Sequence, residues 1–306
     1  MLNRIRPNAL KTLTLFTALS MFIAVIAVNP AGASSSDEAK KLLFKDADKV
    51  LRAAEEKQAE RFAPKAFENG MKQYRKARDA DSLDTVRKKL EKAVNYFNEA
   101  LQTAEKANIL FDLTVTARND AIKAKATDYA SENWADAEKK LASAARSLEN
   151  GYEKNARSKG KDAEKLYRQA ELTAIKVRSL QTAWSLLKDA KDMKAKKYAP
   201  KTLEKAKMMV EKAEEMIERS RYDLKEVTEL AKSSAYEARH AIYLTEQVIS
   251  LKKKKRSLED ILLESEVPVH TIAGIIGQNP QFDKGFENPV KDIVTGITAL
   301  QAEKNK

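Results

Sequence analysis

One phrase recurs three times along the chain: FAPKAFENGM from Phe62, YASENWADAE from Tyr129 and YAPKTLEKAK from Tyr198. The spacings are 67 and 69 residues. A repeat of this length constrains the fold more than composition does, because each unit has to bury its apolar face against its neighbours. The flanks repeat as well. Ala54, Ala121 and Ala190 stand eight residues before the aromatic anchor, and Ala59, Ala126 and Ala195 stand three before it. Phe67, Trp134 and Leu203 follow five residues after, then Gly70, Ala137 and Ala206, then Tyr74, Leu141 and Val210, then Ala77, Ala144 and Ala213. Steps of three, four and three describe one helical seam on which large and small residues alternate.

The phrase reads as a corner between helices. Pro64 and Pro200 fit the first helical position, where the missing N–H costs nothing. Ser131 takes that place in the middle copy and reads as an N-cap. The anchors Phe62, Tyr129 and Tyr198 are expected to fold back on Phe67, Trp134 and Leu203 as hydrophobic staples. Each unit has a second break, near Ser82, Gly151 and Tyr222. From there apolar spacing runs on without Pro, from Leu83 to Ala126 and from Ala156 to Ala195. Helices of about 40 residues, roughly 60 Å long, are expected. Only 8 Gly and 7 Pro in 306 residues, with 33% charged residues, suit such helices.

The expected fold is therefore all-α: an elongated series of antiparallel three-helix bundles, similar in plan to spectrin repeats, joined by long shared helices. A helical-hairpin solenoid is the competing packing. The expected units are 38–107, 108–176 and 177–251, with a basic linker and helical tail over 252–306. In the tail, Ser257 and Asp260 form a capping-box pattern, Pro268 is expected to end the helix, and the whole tail is expected to dock on the end of the array.

The N-terminus has the layout of a secretory signal: Arg4, Arg6 and Lys11, then an apolar run from Leu13 to Val28, then Ala31-Gly32-Ala33 as a cleavage site. Residues 1–33 are expected to be removed, or else to persist as an inner-membrane anchor over 12–28. Without the three leader cations the chain keeps 54 Lys and Arg against 45 Asp and Glu, net +9. That excess permits contact with anionic surfaces without specifying one. The run Lys252, Lys253, Lys254, Lys255 and Arg256 reads mainly as a solvated face, with an anionic-surface contact as the sharper alternative.

Reactive constellations are absent from the sequence. There is no Cys, and none of HExxH, GxSxG, GxxxxGK[ST] or GxGxxG occurs. His240 and His270 have no evident partner, and the many carboxylates read as solvated pairs with Lys. Trp134, Trp184, Phe67, Phe97, Phe111, Tyr129 and Tyr198 read as core or corner residues. No catalytic residue, metal ligand, cofactor, small-molecule substrate or nucleic acid is expected.

The phrases at Phe62 and Tyr198, the Ala-rich helices around them, and the tail segments LEDILLE and NPQFDKGFENP resemble the helical N-terminal region of bacterial envelope proteins of the OmpA family. The resemblance covers about Lys41 to Gln301. It implies an envelope location and supplies no catalytic residue. The OmpA-like peptidoglycan-binding domain does not follow in this chain, so a stand-alone helical form or a shortened longer protein is expected. Together these readings point to an exported, non-enzymatic spacer, scaffold or binding module with a protein or cell-wall partner. A lipid-surface binder with amphipathic helices is the alternative, and an envelope enzyme or enzyme activator the remote one.

Overall fold

The structure is a computed structural model that describes residues 33–253 and 256–304, with side chains from Asp37 onward. The leader as far as Gly32 lies outside the described residues, as do Lys254 and Lys255. The protein is all-α, with thirteen helices and no strand among the described residues. The first unit holds α1 (Ala33–Glu56), the one-turn α2 (Ala59–Phe62), α3 (Pro64–Arg78) and α4 (Leu83–Leu110). The second continues with α5 (Asp112–Lys123), α6 (Ala126–Tyr129), α7 (Ser131–Glu149) and α8 (Glu153–Asp192). The third adds α9 (Ala195–Tyr198), α10 (Pro200–Arg219) and α11 (Lys225–Lys252), and the tail is α12 (Leu258–Ile275) and α13 (Glu287–Lys304).

Long helices are shared between units. α4 packs against α1 and α3, and α5 continues its line onto α8. α8 packs against α5 and α7, and then against α10 and α11. At 40 residues α8 spans about 60 Å. One apolar cluster consequently runs from Ala54 in the first unit to Ala235 in the third. The expected seam from α4 into α5 is buried from Val86 and Leu90 to Phe111 and Thr114, and Leu83 at its start is half-buried. On α8, Tyr167, Glu171, Ala174 and Ile175 are buried, whereas Leu166, Thr173 and Val177 are half-buried. A helix packed on more than one side cannot keep a single seam.

The three corners share one geometry. Gln58, Lys125 and Lys194 adopt left-handed φ values of 58°, 61° and 64°. A single helical turn follows, and then Ala63, Ala130 and Ala199 at φ −142°, −145° and −138° precede the next helix. The corner thus opens four residues before the aromatic anchor. Pro64 and Pro200 start their helices as expected. Ser131 does not cap: it is the first residue of α7, the N-cap is Ala130, and no side chain caps that end. The corner aromatics also make contacts beyond the expected staples. Phe62 packs on Phe111 with ring centroids 6.1 Å apart, and Trp134 packs on Tyr167 at 5.4 Å. Tyr129 is 37% exposed, which removes it from the core. Tyr198 lies half-buried under the Lys252 ammonium, 4.9 Å from the ring centroid. The second breaks match expectation more closely. Ser82 accepts from Thr85 N–H at 3.3 Å, and Gly151, at φ 80°, ends α7 with Tyr152 N–H donating to Ser147 O at 2.8 Å.

The tail departs from expectation in three ways. α12 runs through Pro268 to Ile275, so Pro268 does not end it and His270 lies within a helix, its ring 5.0 Å from Phe282. The capping box forms: Asp260 N–H donates to Ser257 Oγ at 3.0 Å and Ser257 N–H to Asp260 Oδ2 at 2.7 Å. That start stabilises a helix which tolerates the single hydrogen bond Pro268 removes. The tail also fails to dock on the array, since α12 and α13 pack chiefly against each other.

Two small residues set the helix spacing. A Cβ at Gly70 would lie 2.5 Å from the Phe97 ring, and one at Gly160 would lie 2.7 Å from the Phe111 ring. Helix propensity alone makes Gly→Ala favourable by about 1 kcal/mol. Here overpacking costs about 1–3 kcal/mol. Gly70→Ala and Gly160→Ala are therefore expected to lower the urea midpoint. A raised midpoint for both would show that the rings shift freely. Leu203, 3% exposed, gives a companion test: Leu203→Asp should destabilise far more than Lys201→Asp, which changes an exposed side chain.

Candidate functional site

The densest buried polar cluster lies where the second unit meets the third. Glu171, in the middle of α8, has a side chain 1% exposed. Arg168 Nη1 donates to Glu171 Oε2 at 3.2 Å, Arg221 Nη1 donates to the same oxygen at 2.9 Å, and the Tyr222 hydroxyl donates to Oε1 at 2.6 Å. Arg168 Nη1 also donates to Asp120 Oδ2 of α5 at 2.7 Å. Arg221 donates further to the Arg168 carbonyl at 3.2 Å. Arg221 and Tyr222 belong to the turn between α10 and α11, so that turn is fastened onto the shared helix.

Two carboxylates face two guanidinium groups, and each oxygen of Glu171 has a donor. Both features offset the cost of burying a carboxylate. The hydrogen bond to Glu171 raises the pKa of the Tyr222 hydroxyl, with burial adding to it. The hydrogen bond from Arg168 holds the Asp120 carboxyl below the usual carboxylate range, against an opposing effect of burial. Beside the cluster is a cavity of about 210 Å³ lined by Asp120, Lys123, Ala124, Ile175, Arg178, Arg221, Tyr222 and Leu224. Lys123 is bound to Asp120 at 3.3 Å, and Arg178 stands exposed at the rim.

Every unit has a smaller polar tie across its helices. In the first, the Tyr74 hydroxyl donates to Asp48 Oδ1 at 2.5 Å, and burial first, then Asp48, pushes the Tyr74 pKa up to about 12. In the second, Glu138 Oε1 accepts from Arg118 Nε at 2.6 Å and from the Tyr167 hydroxyl at 2.7 Å. Burial, followed by the bond to Glu138, raises the Tyr167 pKa strongly. In the third, Lys205 pairs with Glu237 at 2.5 Å. Units one and two are also tied: Glu149, at the end of α7, accepts from Ala66 N–H at 2.7 Å and Lys65 N–H at 3.3 Å. That carboxylate caps the N-terminus of α3, where the helix dipole favours a negative charge.

Sequence reasoning placed the corner residues but missed these ties. Glu171 was legible in principle, since it shares an apolar stripe with Tyr167 and Ala174 at helical spacing. Glu214, read as a solvated acid, accepts from Trp184 Nε1 at 2.8 Å. His240 is half-buried, 3.9 Å from Glu237. Within the basic run, Lys252 covers Tyr198, and Arg256 is engaged by Gln247 at 2.6 Å and by Glu264. Of these two residues, Lys252 remains exposed and Arg256 is half-buried. Among the described residues no group of three or more metal-ligating side chains occurs. Comparison with protein-family models, with curated proteins and with solved structures finds no match to this chain.

The Glu171 cluster acts as a clamp on the register of neighbouring units. Glu171→Ala strands two partly buried guanidinium groups and is expected to cost about 3–5 kcal/mol. Replacing Glu171, Arg168 and Arg221 together by apolar residues of similar size is expected to cost less than the single change. A triple variant weaker than Glu171→Ala in urea unfolding would contradict the clamp. The acid limb has a defined sign. Asp120, with its folded pKa below its unfolded one, contributes stability above about pH 4 that is lost as pH falls through the folded value. Asp120→Asn is expected to flatten that limb below pH 4.

Proposed function

We propose that this chain is a non-enzymatic helical spacer and binding scaffold exported to the bacterial cell envelope. The observation that carries the reading is α8, a 40-residue helix packed by one unit along its first half and by the next along its second. A rod built on shared helices keeps a fixed distance between its ends, because bending it breaks packing in two units at once. The polar ties supply register between neighbouring helices. Two further observations are in keeping with this role: the leader pattern ahead of Ala33, and the resemblance to the helical region of OmpA-family envelope proteins.

Lipid-surface binding is a second reading, favoured by one observation: apolar residues stand exposed along α12 and α13, among them Leu258 at 73% and Ile275 at 80%. The seams of the array are narrow, rich in Ala and buried between helices, and outside them Ile109 and Leu113 stand 83% and 65% exposed. No described helix is long and apolar enough to cross a membrane.

Small-angle scattering tests the spacer. Laid end to end along the shared helices, the units reach on the order of 100 Å, which gives a radius of gyration of about 30 Å. A compact chain of this length would show about 19 Å, and that value would remove the reading. Cell fractionation tests the location: a tagged full-length chain is expected with the envelope, cut after Ala33, and recovery of uncut chain in the cytoplasm would contradict export.

A further inference from the structure

The clamp leaves the cavity beside Glu171 open. Three elements wall it: Asp120 and Lys123 of α5, Ile175 and Arg178 of α8, and Arg221 and Leu224 of the turn that leads into α11. Along α8, Glu171, Ile175 and Arg178 follow one another a turn apart, so the buried acid and the exposed guanidinium share one face. The volume of about 210 Å³ lies below the roughly 300–1,000 Å³ of sites for drug-sized ligands. A molecule of metabolite size is the fitting scale.

Basic groups dominate the walls. Lys123, Arg178 and Arg221 line the cavity against one acid, Asp120. With Arg168 and Glu171 behind the wall, four cations stand against two acids, net +2. Both acids are already matched. Asp120 accepts from Arg168 at 2.7 Å and lies 3.3 Å from the Lys123 ammonium, and Glu171 accepts from Arg168 and Arg221. A metal cation therefore finds no free carboxylate here. The cations are less fully engaged. The exposed Arg178 guanidinium has no ion pair or hydrogen bond among the described residues. Arg221 bonds Glu171 and the Arg168 carbonyl through Nη1 alone, so its Nε and Nη2 donors are left over. Ile175, 4% exposed, and the half-buried Leu224 add an apolar wall. Guanidinium groups recognise carboxylates through paired N–H bonds. A small carboxylate with an apolar body meets both kinds of wall.

We propose that this cavity binds a small amphiphilic carboxylate, its charge held by Arg178 and Arg221 and its apolar body laid against Ile175 and Leu224. A free organic acid and the C-terminal carboxylate of a peptide share this chemistry. The ligand touches α5, α8 and the α10–α11 turn together, so it sits across the junction of the second and third units. The inference goes beyond the spacer reading and stands on different residues, so a compact particle in scattering and a failure to bind are separate results.

The test is ligand-observed NMR titration of the full-length chain with four probes: benzoate, N-acetylleucine, the neutral benzamide and inorganic phosphate. Benzoate and N-acetylleucine are both expected to bind saturably and to compete for one site. Tighter binding of N-acetylleucine assigns the site to a peptide C-terminus, and tighter binding of benzoate assigns it to a free organic acid. Benzamide is expected to bind far more weakly, because it lacks the charge. Arg178→Gln is expected to weaken both carboxylates by about tenfold or more, since it removes a charged hydrogen bond. Its circular dichroism and urea midpoint should match those of the parent chain, because Arg178 takes no part in the clamp. Lys201→Gln, an exposed change in another part of the array, is expected to leave binding unaltered. Four outcomes would overturn the proposal: no saturable binding of either carboxylate, benzamide binding as tightly as benzoate, inorganic phosphate binding more tightly than both carboxylates, or carboxylate binding indifferent to Arg178→Gln.

Discussion

Close approach of helices at Ala and Gly layers is the interaction on which the rest of the structure depends. Ala54, Ala121 and Ala190 are all fully buried, as are Ala77, Ala144 and Ala213. At Gly70 and Gly160 even a methyl group has no room beside Phe97 and Phe111. With the small residues at the contacts, neighbouring helices approach closely and the few aromatics fill what remains. A chain with only 7% aromatic residues can then build a continuous core, because dispersion contacts depend on proximity more than on residue size. The break between α4 and α5 shows the device together with a hydrogen bond. Phe111 inserts opposite Gly160, and next to it the Thr114 hydroxyl donates to the Gly160 carbonyl at 3.1 Å.

Sharing the long helices has an electrostatic consequence. α8 faces partners on more than one side, so charged residues on it cannot all reach water. Glu171 falls into the seam and is matched by two guanidinium groups and a phenol. Such a cluster adds little net stability over an apolar equivalent, because the charges lose hydration. It does define register, since sliding α11 by one turn along α8 would leave Arg221 and Glu171 unpaired. Glu149 has a related role at the other junction, where it satisfies the open N–H groups of Ala66 and Lys65.

Much of the array was legible because it is written three times. The Ala positions, the helix starts at Pro64 and Pro200 and the seam through Phe97 and Phe111 follow from spacing alone. The corners were legible in position and misread in mechanism. A single sequence does not reveal that Gln58, Lys125 and Lys194 take left-handed backbone angles, because those residue types have no preference for them. Tyr129 occupies a repeat position shared with the buried Phe62 and is nevertheless exposed, so equivalence in sequence did not ensure equivalence in burial. The polar ties were missed because a Glu on a Lys-rich helix has a solvated partner available at every turn. Only the path of the third helix decides which Glu is covered. Pro268 misled because proline is a strong helix breaker in isolation, yet the capping box at Ser257 and the packing of Ala273 hold α12 on both sides of it.

If shared helices make the units one cooperative body, the most direct measurement is native-state hydrogen exchange along α8. The amides from about Tyr167 to Ile175, between the halves covered by α7 and by α10, are expected to be among the slowest, with both halves opening at one common free energy. Fast exchange at Glu171, with the two halves opening independently, would contradict the account.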